Sequence, residues 1–297
     1  MKAIVTGATG YLGGRLVAAL VAGGHDVVAL VRDSSDTAGI ETVLSPGRVL
    51  RLAEEPDAIE AAVSAAGADV AFHLAAAQQQ GADADSVRAL LETNVVFGGR
   101  FVAACAASGV SAFVSAGTYS THATGTAEYV PASFYAATKR AFEDVQAYYA
   151  ATTPLRCATL ELTDTYGPDD PRSKFLRLVA QASAGGTTLR ATLGEQRLSL
   201  VHADDVAGAF IHAGAGLLGG TVAPGTYSVA AEETLTLREI VGVWRDATGR
   251  DVDVAWGDRP YPANQIMHPY VEHRLPGWTP AIGLREGLAR VYGPHAS

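Results

Sequence analysis

The chain opens Lys2-Ala3-Ile4-Val5-Thr6-Gly7-Ala8-Thr9-Gly10-Tyr11-Leu12-Gly13, and the order of residue types there decides the fold. Lys2 to Thr6 is a short β-branched run that predicts a strand. Gly13 to Ala22 predicts a helix, with Leu12, Leu16, Ala19 and Leu20 on one apolar face and Gly23-Gly24 as its stop. The turn between them carries Gly7, Gly10 and Gly13. Gly7 permits a tight turn, Gly10 lets the backbone approach a pyrophosphate, and Gly13 lets helix and strand pack closely. The helix N-terminus then offers free amides and the positive end of its dipole to an anion. A plain glycine-rich βα loop is the alternative; the strand–turn–helix context favours a dinucleotide site over it.

Outward from that turn the pattern repeats. Asp26 to Val31 is a continuous apolar run, as expected of a strand covered on both faces. Val49 to Leu52, Asp69 to Leu74, Ala112 to Ser115 and Ala158 to Leu162 predict further strands. Helices are predicted between them at Asp57 to Ala66, Ser86 to Ser108 and Ser133 to Ala151. Repeated βα units imply an α/β fold, a doubly wound parallel sheet with helices on both faces. Beyond Tyr166 the rhythm breaks at Gly167, Pro168 and Pro171, and Ser173 to Ala184 predicts one more helix. The expectation is a dinucleotide-binding domain over 1–165 and a smaller α+β substrate domain over 166–297. Segments near 195–230 are candidates to return to the first domain.

The 297 residues include 22 Lys+Arg and 31 Asp+Glu, a net charge of −9, and 48% are hydrophobic. Such a chain buries a full core and lacks the basic balance that nucleic acid requires; small anionic ligands stay open. Two cysteines, Cys105 and Cys157, are too few for a disulfide framework or a zinc site of their own and read as small buried residues. No metal site is expected. His73 reads as packing beside a cofactor. His202 with Asp204 and Asp205 reads as a helix start capped by one of the aspartates. No run approaches the ~18 apolar residues of a membrane span, and Met1-Lys2 leads straight into a strand, so the expectation is a cytoplasmic protein without a membrane partner.

The second strand ends Leu30-Val31-Arg32-Asp33. Val31 stands where an acidic residue commonly bonds the adenosine ribose, while Arg32 can grip a 2′-phosphate in bidentate fashion. This favours NADP(H) over NAD(H). The rival reading gives the ribose to Asp33 and leaves Arg32 as a solvated charge. Tyr135 and Lys139 form Tyr-xxx-Lys, a spacing that puts both side chains on one helix face. A cation beside the phenol is expected to lower its pKa from ~10, letting Tyr135 exchange a proton near neutrality. A chance pair on a surface helix is the alternative. Thr118 closes the fifth predicted strand at the sheet's carboxyl edge, where its Oγ can bond a substrate carbonyl oxygen opposite Tyr135. Ser115 is a second candidate, with local backbone satisfaction as its alternative.

Together these residues resemble the extended short-chain dehydrogenase/reductases, nucleotide-sugar type, over nearly the whole chain. The run from Thr6 to Gly13 matches that family's cofactor turn and adds Thr9, Tyr11 and Leu12 to the three glycines. Asp69 to Ala76 matches its fourth-strand motif, which lays Leu74, Ala75 and Ala76 along the cofactor. Asn94 falls in the family's usual helix, and Thr118, Tyr135 and Lys139 fill its active-site positions. Arg197 through Val206 resembles the segment in which an Arg approaches the sugar nucleotide's pyrophosphate. Ala116-Gly117-Thr118 and Asp164-Thr165-Tyr166-Gly167-Pro168, followed by Asp170, Arg172 and Lys174, resemble the abequose-synthase-type members. Those reduce the 4-keto group of nucleotide-linked 4-keto-6-deoxysugars with NADPH.

The resemblance thus implies a Rossmann-type fold, NADP(H), a nucleotide-sugar substrate and NADPH-dependent ketone reduction. It sets Asp164, Arg172, Lys174 and Arg197 toward the substrate; a solvated surface charge is the alternative for Arg172 and Lys174. A 4-epimerase, a reductase of a non-sugar ketone and a non-catalytic NADP sensor are the rival readings. A homodimer through the two long helices is the family default. Some positions depart from the pattern. Asp164 stands where epimerases and dehydratases often carry Asn, and Pro262 where the family has Arg. Ala53 or Glu54 stands where it has an adenine-contacting Asp. Tyr119 and Ser120 replace the acid/base pair of dehydratases, which speaks against dehydration.

Overall fold

The computed structural model describes residues 1–53, 55, 57–78 and 83–293. The first half alternates as β1 (Lys2–Thr6), α1 (Tyr11–Ala22), β2 (Asp26–Arg32), α2 (Ala38–Glu41), β3 (Val49–Leu52), α3 (Ala58–Ala66) and β4 (Val70–His73). It continues as α4 (Ala84–Leu91), a π-helical segment at Glu92–Phe97, α5 (Gly98–Ala107), β5 (Ala112–Thr118), α6 (Phe134–Thr152) and β6 (Arg156–Leu162). Then come β7 (Asp164–Tyr166), α7 (Phe175–Gly185), β8 (Leu189–Ala191), β9 (Arg197–Leu198), β10 (Leu200–His202), α8 (Ala203–Gly219) and β11 (Gly225–Val229). The chain finishes with β12 (Leu235–Thr236), α9 (Leu237–Thr248), β13 (Val254–Trp256) and α10 (Leu284–Tyr292).

One seven-stranded sheet runs in the order β11-β6-β5-β4-β1-β2-β3, and every pairing in it is parallel. This is the Rossmann-type doubly wound sheet. The strand order reverses between β1 and β4, which opens a crevice at their carboxyl ends where α/β sheets bind ligands. Both faces are apolar because both are covered. Val5, Leu16, Leu20, Phe72 and Phe210 fill the face under α1 and α8. Ile4, Phe101, Phe113 and Phe142 fill the face under α3, α5 and α6. A third cluster around Tyr166, Val179, Ile240, Trp244 and Leu288 lies outside the sheet. It packs α7, α9 and α10 together with the three two-stranded pieces β10-β7, β12-β9 and β13-β8.

The strand sequence of the first half agrees with the periodicity, and β5 runs on to Thr118. Two details differ. The apolar run expected as one helix is broken by the π segment, whose wider turn brings Asn94 inward. The whole run, Ala84–Ala107, is long and apolar enough to cross a membrane, an exception to the sequence reading. Here its buried residues Leu90, Phe101, Val102 and Cys105 line the sheet's own core. The start of α8 also differs: His202 is the N-cap and accepts from Asp204 N. Asp205 instead accepts from the backbone amides of Ala281 and Ile282 at 3.0 and 2.9 Å, tying α8 to the tail.

Candidate active site

The glycine turn is crowded on one side and open on the other. Gly7 sits at φ 73°, and a Cβ there would lie 2.5 Å from Ala75 N. A Cβ on Gly13 would collide with the Gly7 carbonyl oxygen. The turn is thereby pressed against Leu74 and Ala75, where the chain leaves β4, with Ala76 next along. On the outer side Thr9 and Gly10 are exposed, and Gly10 caps α1 with no side chain bonded to the helix's first amides. A cradle with uncapped helix amides fits the diphosphate of an NAD(P) cofactor. Tyr11 and Leu12 begin α1, half-buried. The Tyr11 ring lies 5.3 Å from the Arg15 guanidinium and 4.9 Å from that of Arg172, and burial pushes its phenol up to about 12.

Arg32 is exposed at the carboxyl end of β2. Beside it lies a residue that sequence reading missed. Arg51 on β3 donates to the carbonyls of Asp33 (2.7 Å) and Ser35 (3.1 Å) and to Thr37 Oγ1 (2.7 Å). It pins the loop that follows Arg32. The strand register sets Val31 against Arg51, a pairing that no motif in the sequence announces. Of the adenine-side pair, Glu54 lies outside the described residues. Asn94, expected toward the cofactor, is fully buried and bonded to the loop after β4. Its amide accepts from Ala77 N (2.8 Å) and donates to Ala77 O (3.1 Å) and Thr138 Oγ1 (2.9 Å). Both donors are spent, so Asn94 buttons the loop after β4 onto α6.

Ser133 caps α6, accepting from Ala136 N at 3.1 Å, and so starts the helix just before Tyr135. Tyr135 is half-buried, and Lys139, one turn on, is 2% exposed. The expected fall in the phenol's pKa does not occur. Burial pushes Tyr135 up to about 12, and a hydrogen bond from the Gln78 side chain only moderates this. Burial also brings Lys139 down to about 8, with Glu143 pulling the other way. Desolvation outweighs the pairing because Lys139 is itself buried and faces Glu143. Gln78 carried no spacing signal and was missed. Thr118 caps a short 3₁₀ turn at the end of β5, with Ser120 N donating to its Oγ1 at 3.3 Å.

Ser115 points the other way, into the packing between β5 and α6. It is 1% exposed, donates to Gln146 Oε1 at 2.7 Å and lies 3.1 Å from Thr159 Oγ1. A hydroxyl sealed in that triangle cannot reach a substrate, so its assignment is corrected to a core role. His73 is fully buried among Phe97, Phe101, Phe113 and Phe142. Burial and nearby Lys139 hold it neutral, down at about 3.

On the substrate side, Asp164 accepts from Tyr119 OH (3.0 Å) and Lys174 Nζ (3.2 Å). Tyr119 is thereby held against Asp164. Lys174, a candidate for the substrate or a solvated surface charge, is paired with Asp164. Arg172 is corrected further. Its fork binds both oxygens of Asp170 at 2.7 Å and Thr165 Oγ1 at 2.8 Å. With its charge matched internally, it clamps the loop before α7 against Tyr11. Arg197 donates through Nε and one amino group to Thr234, and Glu239 lies 3.8 Å away. It keeps about a third of its side chain exposed beside the loop that follows β11.

Residues 3–228 match the NAD dependent epimerase/dehydratase family, and the chain belongs to that family. It is an NAD(P)-dependent enzyme of the oxidoreductase type built on the extended short-chain dehydrogenase/reductase fold. The chain is 29% identical to UDP-glucose 4-epimerase of Mycolicibacterium smegmatis over 98% of its length and 97% of that protein. It is 28% identical to 2-alkyl-3-oxoalkanoate reductase of Stenotrophomonas maltophilia over the full length of both. It is 22% identical to CDP-abequose synthase of Salmonella muenchen over 98% and 96%. Among solved structures, UDP-glucose 4-epimerase of Thermus thermophilus in complex with NAD superposes with a TM-score of 0.79. That match is 24% identical and covers 97% of each chain; it speaks to the fold.

Proposed function

We propose that this enzyme reduces a keto group, at C4, of a nucleotide-linked 4-keto-6-deoxysugar with NADPH. The observation that carries the reading is the placement of Tyr135, with Lys139 one turn further along α6, near the carboxyl end of β5, where Thr118 closes the strand. Burial pushes the Tyr135 phenol up to about 12, which suits a residue that acts as an acid toward a ketone oxygen. With its diphosphate held by the glycine cradle, NADPH would supply hydride to the ketone carbon. Tyr135 gives its proton to the oxygen as negative charge develops there, and Thr118 Oγ1 bonds the same oxygen. Lys139 restores the proton and bonds the ribose. Gly7, Gly10, Gly13 and the first amides of α1 hold the diphosphate, and Arg32 on the loop pinned by Arg51 takes a 2′-phosphate.

Arg197 is the residue assigned here to the diphosphate of the nucleotide sugar, and Tyr119, Asp164 and Lys174 to the sugar side. Likeness to CDP-abequose synthase over nearly the whole chain supports the substrate class. Likeness to 2-alkyl-3-oxoalkanoate reductase over the full length favours a second reading with the same chemistry, reduction of a ketone that carries no nucleotide. The test is NADPH absorbance with purified protein and a CDP- or dTDP-linked 4-keto-6-deoxyhexose. Stoichiometric NADPH loss with formation of the 4-hydroxy sugar is the expected result. No turnover of either nucleotide sugar, with turnover of a 3-oxoalkanoate, would move the assignment to the second reading.

A further inference from the structure

Two arginines stand at the carboxyl ends of neighbouring strands, Arg32 closing β2 and Arg51 one residue before the end of β3. Neither guanidinium is paired with a carboxylate among the described residues. Arg32 is exposed and makes no side-chain hydrogen bond there. Arg51 spends its donors on neutral oxygens. Nη1 donates to the carbonyls of Asp33 (2.7 Å) and Ser35 (3.1 Å), and Nη2 to Thr37 Oγ1 (2.7 Å). Arg48, just before β3, is by contrast closed on Asp26 at 2.8 Å. The acids near the loop are turned elsewhere. Asp36 accepts from the Ala38 amide at 3.0 Å and Glu41 from Thr37 Oγ1 at 2.7 Å, while exposed Asp33 pairs with neither arginine. In a chain of net charge −9, two unmatched guanidinium charges at one corner of the sheet mark a place for an anion. Arg51 also shapes the loop between them. Ser35 N donates to Arg32 O at 3.0 Å and closes a turn over Asp33 and Ser34. Arg51 engages the two carbonyls that flank exposed Ser34, whose lone pairs would otherwise repel a phosphate. Thr37 is 4% exposed, so the third bond ties the loop to a buried anchor.

We propose that Arg51 is the positioning residue through which this enzyme selects NADP(H) over NAD(H). The role rests on the reading of Arg32 as the ligand of the 2′-phosphate and supplies what makes Arg32 effective. The two cofactors differ only by the phosphate on the adenosine ribose, so a residue that governs the choice must act on the binding of that group alone. Arg51 holds the loop over 33–37 in one form before any cofactor arrives. Arg32 and the Ser34 hydroxyl then receive the phosphate without first paying the entropy of ordering the loop. Arginine suits the task because its planar fork reaches two carbonyls and a hydroxyl at once, which a single ammonium cannot reproduce. β3 is the edge strand of the sheet and Arg51 is exposed on it, so no core packing depends on the side chain. Arg51 does not touch the reacting atoms; it acts through the loop that carries Arg32.

Fluorescence titration of the full chain with NADPH and with NADH reads the two affinities separately and needs no substrate. The wild type should bind NADPH about tenfold or more tightly than NADH, the worth of hydrogen bonds to a charged group. Arg51→Ala should remove most of that preference, lowering NADPH affinity about tenfold and leaving NADH affinity within about twofold. Arg51→Lys keeps the charge without the fork and should fall near the alanine variant. In an Arg32→Ala background, Arg51→Ala should cost almost nothing further, because it acts through Arg32. Thermal melting reads the fold of each variant. Loss of NADH affinity in step with NADPH would show a merely structural role and overturn the inference. So would wild-type selectivity in Arg51→Ala or Arg51→Lys, or losses from the two arginines that simply multiply. A wild type that binds the two cofactors equally would overturn the NADP(H) reading and this role with it. A selective wild type with an equally selective Arg51→Ala variant would overturn the role of Arg51 alone.

Discussion

The turn at Gly7–Gly13 and the loop at Asp164–Lys174 both gather groups that bind anions, yet they are finished differently. The turn leaves the first amides of α1 uncapped and keeps side chains out with glycine. The loop closes its cations on its own carboxylates, Arg172 on Asp170 and Lys174 on Asp164. An unsatisfied helix end is a standing invitation to a ligand, whereas a paired cation has already spent its charge. The cofactor half of the site is thus preformed. The substrate half presents a paired surface that a nucleotide sugar would have to rearrange or meet through Arg197.

Several experiments press on that contrast, the strongest first. Tyr135→Phe removes the acid and leaves the turn untouched, so kcat should fall by ~10²–10⁴-fold with unchanged NADPH affinity by fluorescence titration. Gly13→Ala attacks the turn itself. The added Cβ meets the Gly7 carbonyl oxygen, so NADPH binding should be lost and stability should drop by about 1–3 kcal/mol, read from titration and thermal melting. Arg32→Ala should weaken NADPH by about 1.5–3 kcal/mol, the worth of a hydrogen bond to a charged group, and leave NADH affinity nearly unchanged. The two arginines of the other half should separate. Arg197→Ala should raise KM with kcat held. Arg172→Ala should lower the melting temperature while KM stays near wild type, because it strands buried Asp170.

The smallest effect is one of pH. Glu143 is raised from 4.5 to about 7 in the fold, so its contribution to stability is full below pH 4.5 and is lost as pH rises through 7. His73, held near 3, acts in the opposite sense, costing stability as pH falls below 6.5. The difference in melting temperature between wild type and Glu143→Gln should therefore change across pH 4.5–7. A constant difference would contradict the raised pKa.

What was legible in the sequence follows the same divide. The sheet could be read because β-branched runs, helix periodicity and glycine stops are local signals, and the turn because Gly7 and Gly13 answer backbone crowding. Tyr135 and Lys139 were singled out by helical spacing read together with the glycine turn ahead of them. Their protonation was misjudged because spacing reports proximity and not burial. Ser115 was misassigned for a similar reason: a polar residue near the carboxyl edge looks the same whether it faces the crevice or the core. Arg172 could not be seen to be spent on Asp170 without the loop's path. Arg51 and Gln78 were invisible because each acts across strands or between loops, with no motif of its own.

Hydride tracing tests the central claim most directly. NADPH carrying deuterium at the transferred position is incubated with a nucleotide-linked 4-keto-6-deoxyhexose, and the sugar is examined by NMR and mass spectrometry. The account predicts one deuterium on C4 of the alcohol for each NADPH consumed. An epimerised sugar with no deuterium gained and no net NADPH oxidation would contradict it.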